Sequence, residues 1–156
     1  QPSDFNNTMG YTVDFWTYGN AAGIVNNNTT YWPVFGHNTS GISLVLIRRG
    51  TNLYDLSIFH DGYEQGVTRT RGMSLNAGMN HWAIVSDPVR GITNVWVNGY
   101  LIISVFGFLK LNHAHFRFGW YGQGPALNLV EFRLRKGVRY DTYADVIYHN
   151  QQRWDT

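Results

Sequence analysis

An all-β domain, built as a sandwich or a barrel, is the fold class that three features of this sequence predict. Apolar residues recur with period two in short runs. Turn-forming residues separate the runs, with 17 Gly and fifteen Asn among 156 residues. Aromatic residues make up 16% of the chain and charged residues only 14%, which is the opposite of a disordered composition. Period two sends alternate side chains to opposite faces of a strand. Asn and Gly tolerate the left-handed backbone that tight turns demand.

Ten runs carry the strand pattern. Residues 11–18 alternate, with Tyr11, Val13 and Phe15 on one face. A Gly- and Asn-rich loop follows, and 32–35 reads as a short strand. Residues 42–47 are β-rich and end at Arg48, Arg49 and Gly50; 53–59 stop at His60, Asp61 and Gly62. Residues 65–71 form a polar candidate with Val67 inward. In 80–86, Trp82 and Ile84 share one face, while His81, Ala83 and Val85 share the other. Residues 93–97 and 100–106 flank Asn98-Gly99, the strongest short hairpin signal, because both central residues need positive φ. Residues 115–119 form the next candidate. In 129–135, Val130, Phe132 and Leu134 point inward while Glu131, Arg133 and Arg135 point outward. Residues 141–152 read as a helical turn or an irregular tail.

A chain of this length fits one domain, residues 1–156, and buries enough surface to need no covalent staples. The lack of Cys excludes a disulfide framework and any Cys-ligated metal centre. A net charge of +2 over the whole chain is nearly neutral and carries no nucleic-acid signal. No stretch approaches the ~20 apolar residues of a membrane helix, so membrane insertion is not expected. The start at Gln1-Pro2-Ser3-Asp4 has no signal-like segment and reads as a piece of a longer polypeptide.

Four segments in order carry a resemblance. Tyr11-Thr12-Val13-Asp14-Phe15-Trp16, Met79-Asn80-His81-Trp82-Ala83-Ile84-Val85-Ser86-Asp87, Thr93-Asn94-Val95-Trp96-Val97-Asn98-Gly99 and Leu129-Val130-Glu131-Phe132-Arg133-Leu134 resemble the laminin-G-like branch of the concanavalin A-like lectin/glucanase superfamily. Lys136-Gly137-Val138-Arg139-Tyr140 resembles a tail seen in viral and phage members. The resemblance covers about residues 9–148; it departs at Met79, where the family has Trp, and at Asn98, often Asp. It implies a two-sheet antiparallel jelly-roll β-sandwich with first and last strands adjacent. An ion pair between Asp14 and Arg133, or between Glu131 and an Arg, is then expected across those strands.

The resemblance also bears on function. Glucanase members carry Glu-x-Asp-x-Glu on one strand. Here Glu occurs only at Glu64 and Glu131, and no such run exists, so no catalytic residue is assigned. A facing pair such as Asp14 with Glu131 would be the glycosidase alternative. No Gly-x-Ser-x-Gly elbow is present. His113-Ala114-His115 and His60-Asp61 are the only ligand-like clusters, and no acidic loop is dense. No metal or other cofactor is expected; calcium at Asp61 and Asp87 is the first alternative.

Alternating strand direction assigns the loops around 19–30, 49–52, 73–79, 98–99 and 120–125 to one end of the sandwich. Aromatic rings stack on sugar C–H faces and amides make neutral bidentate hydrogen bonds. The candidate ligand residues at that end are Asn27, Tyr31, Asn76, Trp120, Tyr121 and Gln123. The reading is a non-catalytic module that binds a cell-surface glycan or protein receptor. The resemblance places it at the head of a viral or phage fibre, extracellular or on the virion surface, and implies a homotrimer. A structural or protein-interaction domain of a virion or oligomer is the other alternative.

Overall fold

The computed structural model describes residues 9–19, 32–37, 40–65, 73–110 and 128–140. Nine strands run through these residues: β1 Tyr11–Tyr18, β2 Trp32–His37, β3 Ser40–Gly50, β4 Leu53–His60, β5 Tyr63–Glu64, β6 Met79–Asp87, β7 Ile92–Val97, β8 Tyr100–Phe106 and β9 Asn128–Lys136. No helix occurs among the described residues. The strand candidate at 115–119, most of that at 65–71 and the tail at 141–152 lie outside them. Gln65 itself is not in a strand, and β5 falls in the stretch expected to be a loop.

The strands form two antiparallel sheets. The first has the order β8-β7-β6-β1-β9 and the second β2-β3-β4-β5. First and last strands are neighbours, as the resemblance implied, and Asp14 stands opposite Arg133. The core fills the space between the sheets. Val13, Phe15, Trp82, Ile84, Val95 and Val97 enter it from the first sheet, and Leu44, Leu46, Leu56 and Ile58 from the second. Phe15 and Trp82 stack with ring centroids 6.0 Å apart. The Trp82 indole N–H is buried and needs an acceptor, which Thr17 Oγ1 supplies at 2.9 Å.

The turns follow from local chemistry. Asn98 (φ 51°) and Gly99 (φ 84°) make the two-residue hairpin between β7 and β8. Asp61 (φ 52°) and Gly62 (φ 87°) do the same between β4 and β5. Gly10 is required for a second reason. A Cβ there would collide with the Ser86 carbonyl oxygen and lie 2.8 Å from Pro88 Cδ.

One expected phase is corrected. Val130 was placed inward, but it is 49% exposed. The β1–β9 register jumps between Trp16 and Thr17, so that Trp16 faces Glu131 while Thr17 faces Leu129. Val130 is the extra residue of this bulge, and its side chain is released from the core. Phe132 and Leu134, beyond the bulge, pack on the core as expected.

Candidate functional site

Strand pairing brings one set of loops together. Tyr18 at the end of β1 faces Met79 at the start of β6 and Asn128 at the start of β9. The β7–β8 hairpin closes beside the start of β6, with Asn98 N–H donating to His81 O at 2.8 Å. Asn52, between β3 and β4, joins the same end through the loop before β6. It donates to Leu75 O at 2.9 Å and accepts from Leu75 N–H at 2.9 Å. The loop grouping expected from strand alternation therefore holds for the described loops.

Asparagine builds this end as well as decorating it. Asn80 is buried at its centre. Its Oδ1 accepts from Asn76 N–H at 2.8 Å and from Asn98 Nδ2 at 2.9 Å. Its Nδ2 donates to Gly19 O at 2.9 Å and Asn76 O at 3.0 Å. Asn98 Oδ1 accepts from His81 N–H at 2.8 Å. One carboxamide thus ties together the end of β1, the loop before β6 and the β7–β8 hairpin. A carboxamide suits the role because it donates and accepts at once without a charge to desolvate.

Asn76 is exposed on this frame, with its Nδ2 donating to Met79 O at 3.2 Å. The other candidate ligand residues, Asn27, Tyr31, Trp120, Tyr121 and Gln123, lie outside the described residues. Tyr18 and Tyr100 escaped the sequence reading. Both are largely exposed at this end. The Tyr18 ring borders Gly78, where an added Cβ would sit 3.8 Å from Cε2. The available signal was that each tyrosine terminates a strand next to a turn.

Both outer sheet faces carry buried residues. On the second sheet Ser43, Val45, Ile47, Asp55 and Ser57 alternate with core residues, yet all are buried. On the first sheet Asp14 is fully buried, and its Oδ2 accepts three hydrogen bonds. These come from His81 Nε2 at 3.0 Å, Tyr140 OH at 2.9 Å and Arg133 Nη2. Tyr140 also packs with Ala83, Val85 and Trp96 in a small apolar cluster on this face. Thr12 anchors the segment that delivers Tyr140, donating to Gly137 O at 2.9 Å and accepting from Arg139 N–H at 3.0 Å.

Burial works against the charge on Asp14. The hydrogen bonds from His81 and Arg133, together with their charge, outweigh it and hold the carboxyl below its ordinary range. Burial, then the nearby Asp14 charge, pushes the Tyr140 phenol up. The expected Asp14–Arg133 pair is present, enlarged by His81 and Tyr140. A sealed carboxylate with one oxygen accepting three donors has no access to a sugar. Asp14 is therefore not the partner that a Glu131 glycosidase pair would need.

The calcium alternative named Asp61 and Asp87. Asp87 Oδ1 is engaged by its own turn, accepting from Val89 N–H at 2.9 Å and Arg90 N–H at 3.2 Å. Asp61 lies in a different turn, 3.9 Å from His60 Nδ1. Among the described residues no three His, Asp or Glu side chains are grouped to hold a metal.

No protein-family model and no curated protein matches the chain. Solved structures do. The botulinum neurotoxin serotype D binding domain superposes with a TM-score of 0.59 at 14% identity, covering 94% of this chain and 39% of that one. A putative carbohydrate binding protein from Bacteroides ovatus gives 0.58 at 17% identity, over 89% and 40%. A heptameric SAP-like pentraxin from Limulus polyphemus gives 0.55 at 13% identity, over 88% and 68%. The chain thus spans about two fifths of the first two and two thirds of the pentraxin. This fold is the concanavalin A-like jelly-roll β-sandwich.

Proposed function

We propose that the domain is a non-catalytic recognition module that binds a cell-surface glycan or protein receptor at the end framed by Asn80. The observation that carries this reading is the exposure of Tyr18, Asn76 and Tyr100 on a frame held by carboxamide hydrogen bonds. Flat rings supply apolar faces for sugar C–H groups, and rigid placement lowers the ordering cost of binding. Two proteins that share the fold are named for binding, one for carbohydrate and one as a toxin binding domain.

We propose Asn27, Tyr31, Trp120, Tyr121 and Gln123, which lie outside the described residues, as further ligand residues. The setting we favour is the head of a viral or phage attachment protein, outside the cell or on the virion surface. It rests on the likeness of Lys136–Tyr140 to the tail of such proteins.

A glycan array on the full chain tests the reading, with Tyr18→Ala and Tyr121→Ala as controls. Binding to a defined glycan class that both substitutions reduce about tenfold or more is the expected result. Silence on every glycan with tight capture of a protein receptor would remove the sugar reading. Oligosaccharide turnover abolished by Glu131→Gln would replace recognition with catalysis.

A further inference from the structure

Asn98-Gly99 is the only Asn-Gly pair in the sequence, and such a pair has a chemistry of its own. The Gly99 backbone nitrogen, once it has given its proton to base, can attack Asn98 Cγ. A bond forms between that nitrogen and Cγ, the bond from Cγ to Nδ2 breaks, and ammonia leaves with a proton from solvent. Water then opens the five-membered succinimide. Cleavage at Cγ gives aspartate; cleavage at the backbone carbonyl carbon gives isoaspartate. The sum is one water in and one ammonia out. Asparagine is among the thermally labile residues, and a following glycine adds no side chain to hinder the attack.

The fold holds this asparagine at both ends of its carboxamide. Oδ1 accepts from His81 N–H at 2.8 Å, and Nδ2 donates to Asn80 Oδ1 at 2.9 Å. The Asn98 backbone N–H also donates to His81 O at 2.8 Å. Cγ cannot swing toward the Gly99 nitrogen unless both carboxamide bonds break. Gly99 is buried, which limits the access of base to its N–H.

We propose that Asn98 is a latent deamidation site: the bonds to His81 and Asn80 suppress the reaction while this end is closed, and reaction at Asn98 releases the frame. The orientation of both carboxamides is fixed by backbone groups. Asn80 Oδ1 accepts from Asn76 N–H, and Asn80 Nδ2 donates to Gly19 O and Asn76 O. A carboxylate at position 98 keeps an acceptor for His81 N–H but loses the donor to Asn80. Its oxygen then stands against Asn80 Oδ1, a second acceptor. Asn80 cannot flip to answer it, because its Nδ2 would leave two carbonyl acceptors and its Oδ1 would turn toward them. Isoaspartate does more damage, since it adds a carbon to the backbone of a two-residue hairpin loop whose length sets the β7–β8 register.

The frame that carries Tyr18, Asn76 and Tyr100 would therefore loosen with the age of the protein. A loss of binding with age rests on the recognition reading above. The chemistry and the loosening do not, and their readouts need no ligand.

The test is peptide mapping by mass spectrometry of the full chain, incubated in mildly alkaline buffer with and without denaturant. In denaturant Asn98 should react faster than the other asparagines. In the folded chain it should react at least about tenfold more slowly than in denaturant, because only the released side chain can cyclise. Asn80→Ala, with folding checked by circular dichroism, removes the acceptor of Nδ2 and should speed the reaction of the folded chain. Asn98→Asp reproduces one product, and hydrogen exchange reads its effect. The Asn76 amide should exchange about tenfold faster or more, while the amides of Val95 and Leu44 stay unchanged. Equal rates at Asn98 with and without denaturant, an unchanged rate in folded Asn80→Ala, or unaltered Asn76 exchange in Asn98→Asp would each overturn the proposal. Loss of the exchange effect with glycan binding intact, or the reverse, separates this inference from the recognition reading.

Discussion

Asp14 shows how much one side chain can be asked to do. It is fully buried, and its Oδ2 joins β6 through His81, β9 through Arg133 and the following segment through Tyr140. Removing the charge from a group with such partners leaves Arg133 uncompensated. Asp14→Asn should therefore destabilise the fold by roughly 2–3 kcal/mol, read by chemical denaturation. The pH dependence has a definite sign. The folded carboxyl lies below its ordinary value, so between the two values the unfolded chain binds more protons. The stability from Asp14 is complete above about pH 4, the ordinary carboxylate value, and is lost as pH falls through the lower folded value. Asp14→Asn should flatten this acid limb. Tyr140 acts at the other extreme, because its phenol is held neutral. Its contribution is complete below the ordinary phenol value near pH 10 and is lost as pH rises beyond it. An acid limb identical in Asp14→Asn and the unsubstituted chain would refute this account of the cluster.

At the level of the element, the β7–β8 hairpin is the part most legible in the sequence. Asn98-Gly99 between two apolar runs predicted it, and both residues have positive φ. Asn98 has a second role that pairing rules do not contain, because its carboxamide bonds His81 N–H and Asn80 Oδ1. Asn98→Ala removes both bonds and forces Ala into the left-handed region, at a cost of about 2 kcal/mol. Equilibrium unfolding measures it; a cost no larger than a few tenths of a kcal/mol would show that the frame does not depend on Asn98. β9 was legible in outline only. Its alternation placed Phe132 and Leu134 correctly and Val130 wrongly, because a bulge adds one residue and reverses the phase beyond it. Nothing in Leu129–Glu131 announces that bulge, since it arises from how β9 meets β1. The short strand β5 was missed because a two-residue strand is too short for a periodic signal.

At the scale of the molecule, the central strands join distant parts of the chain. β1 pairs with β6 and with β9, so Asp14 faces both Ala83 and Arg133. Loop closure must be completed before such contacts contribute, which slows folding. Refolding followed by tryptophan fluorescence should take milliseconds to seconds, the range of all-β sandwiches. Full recovery within microseconds would contradict it. Sequence alone determined the all-β class, most strand positions, the hairpin, the inward faces of β1, β6 and β7, and the side-by-side placement of loops at one end. These follow from period two, turn chemistry and alternating direction, all of which are local. The tertiary structure decided which neutral amides become frame and which stay exposed. It also decided that both outer faces carry buried residues and that Asp14 gathers three donors. Each depends on what lies opposite a residue in space, and local periodicity has no information about that.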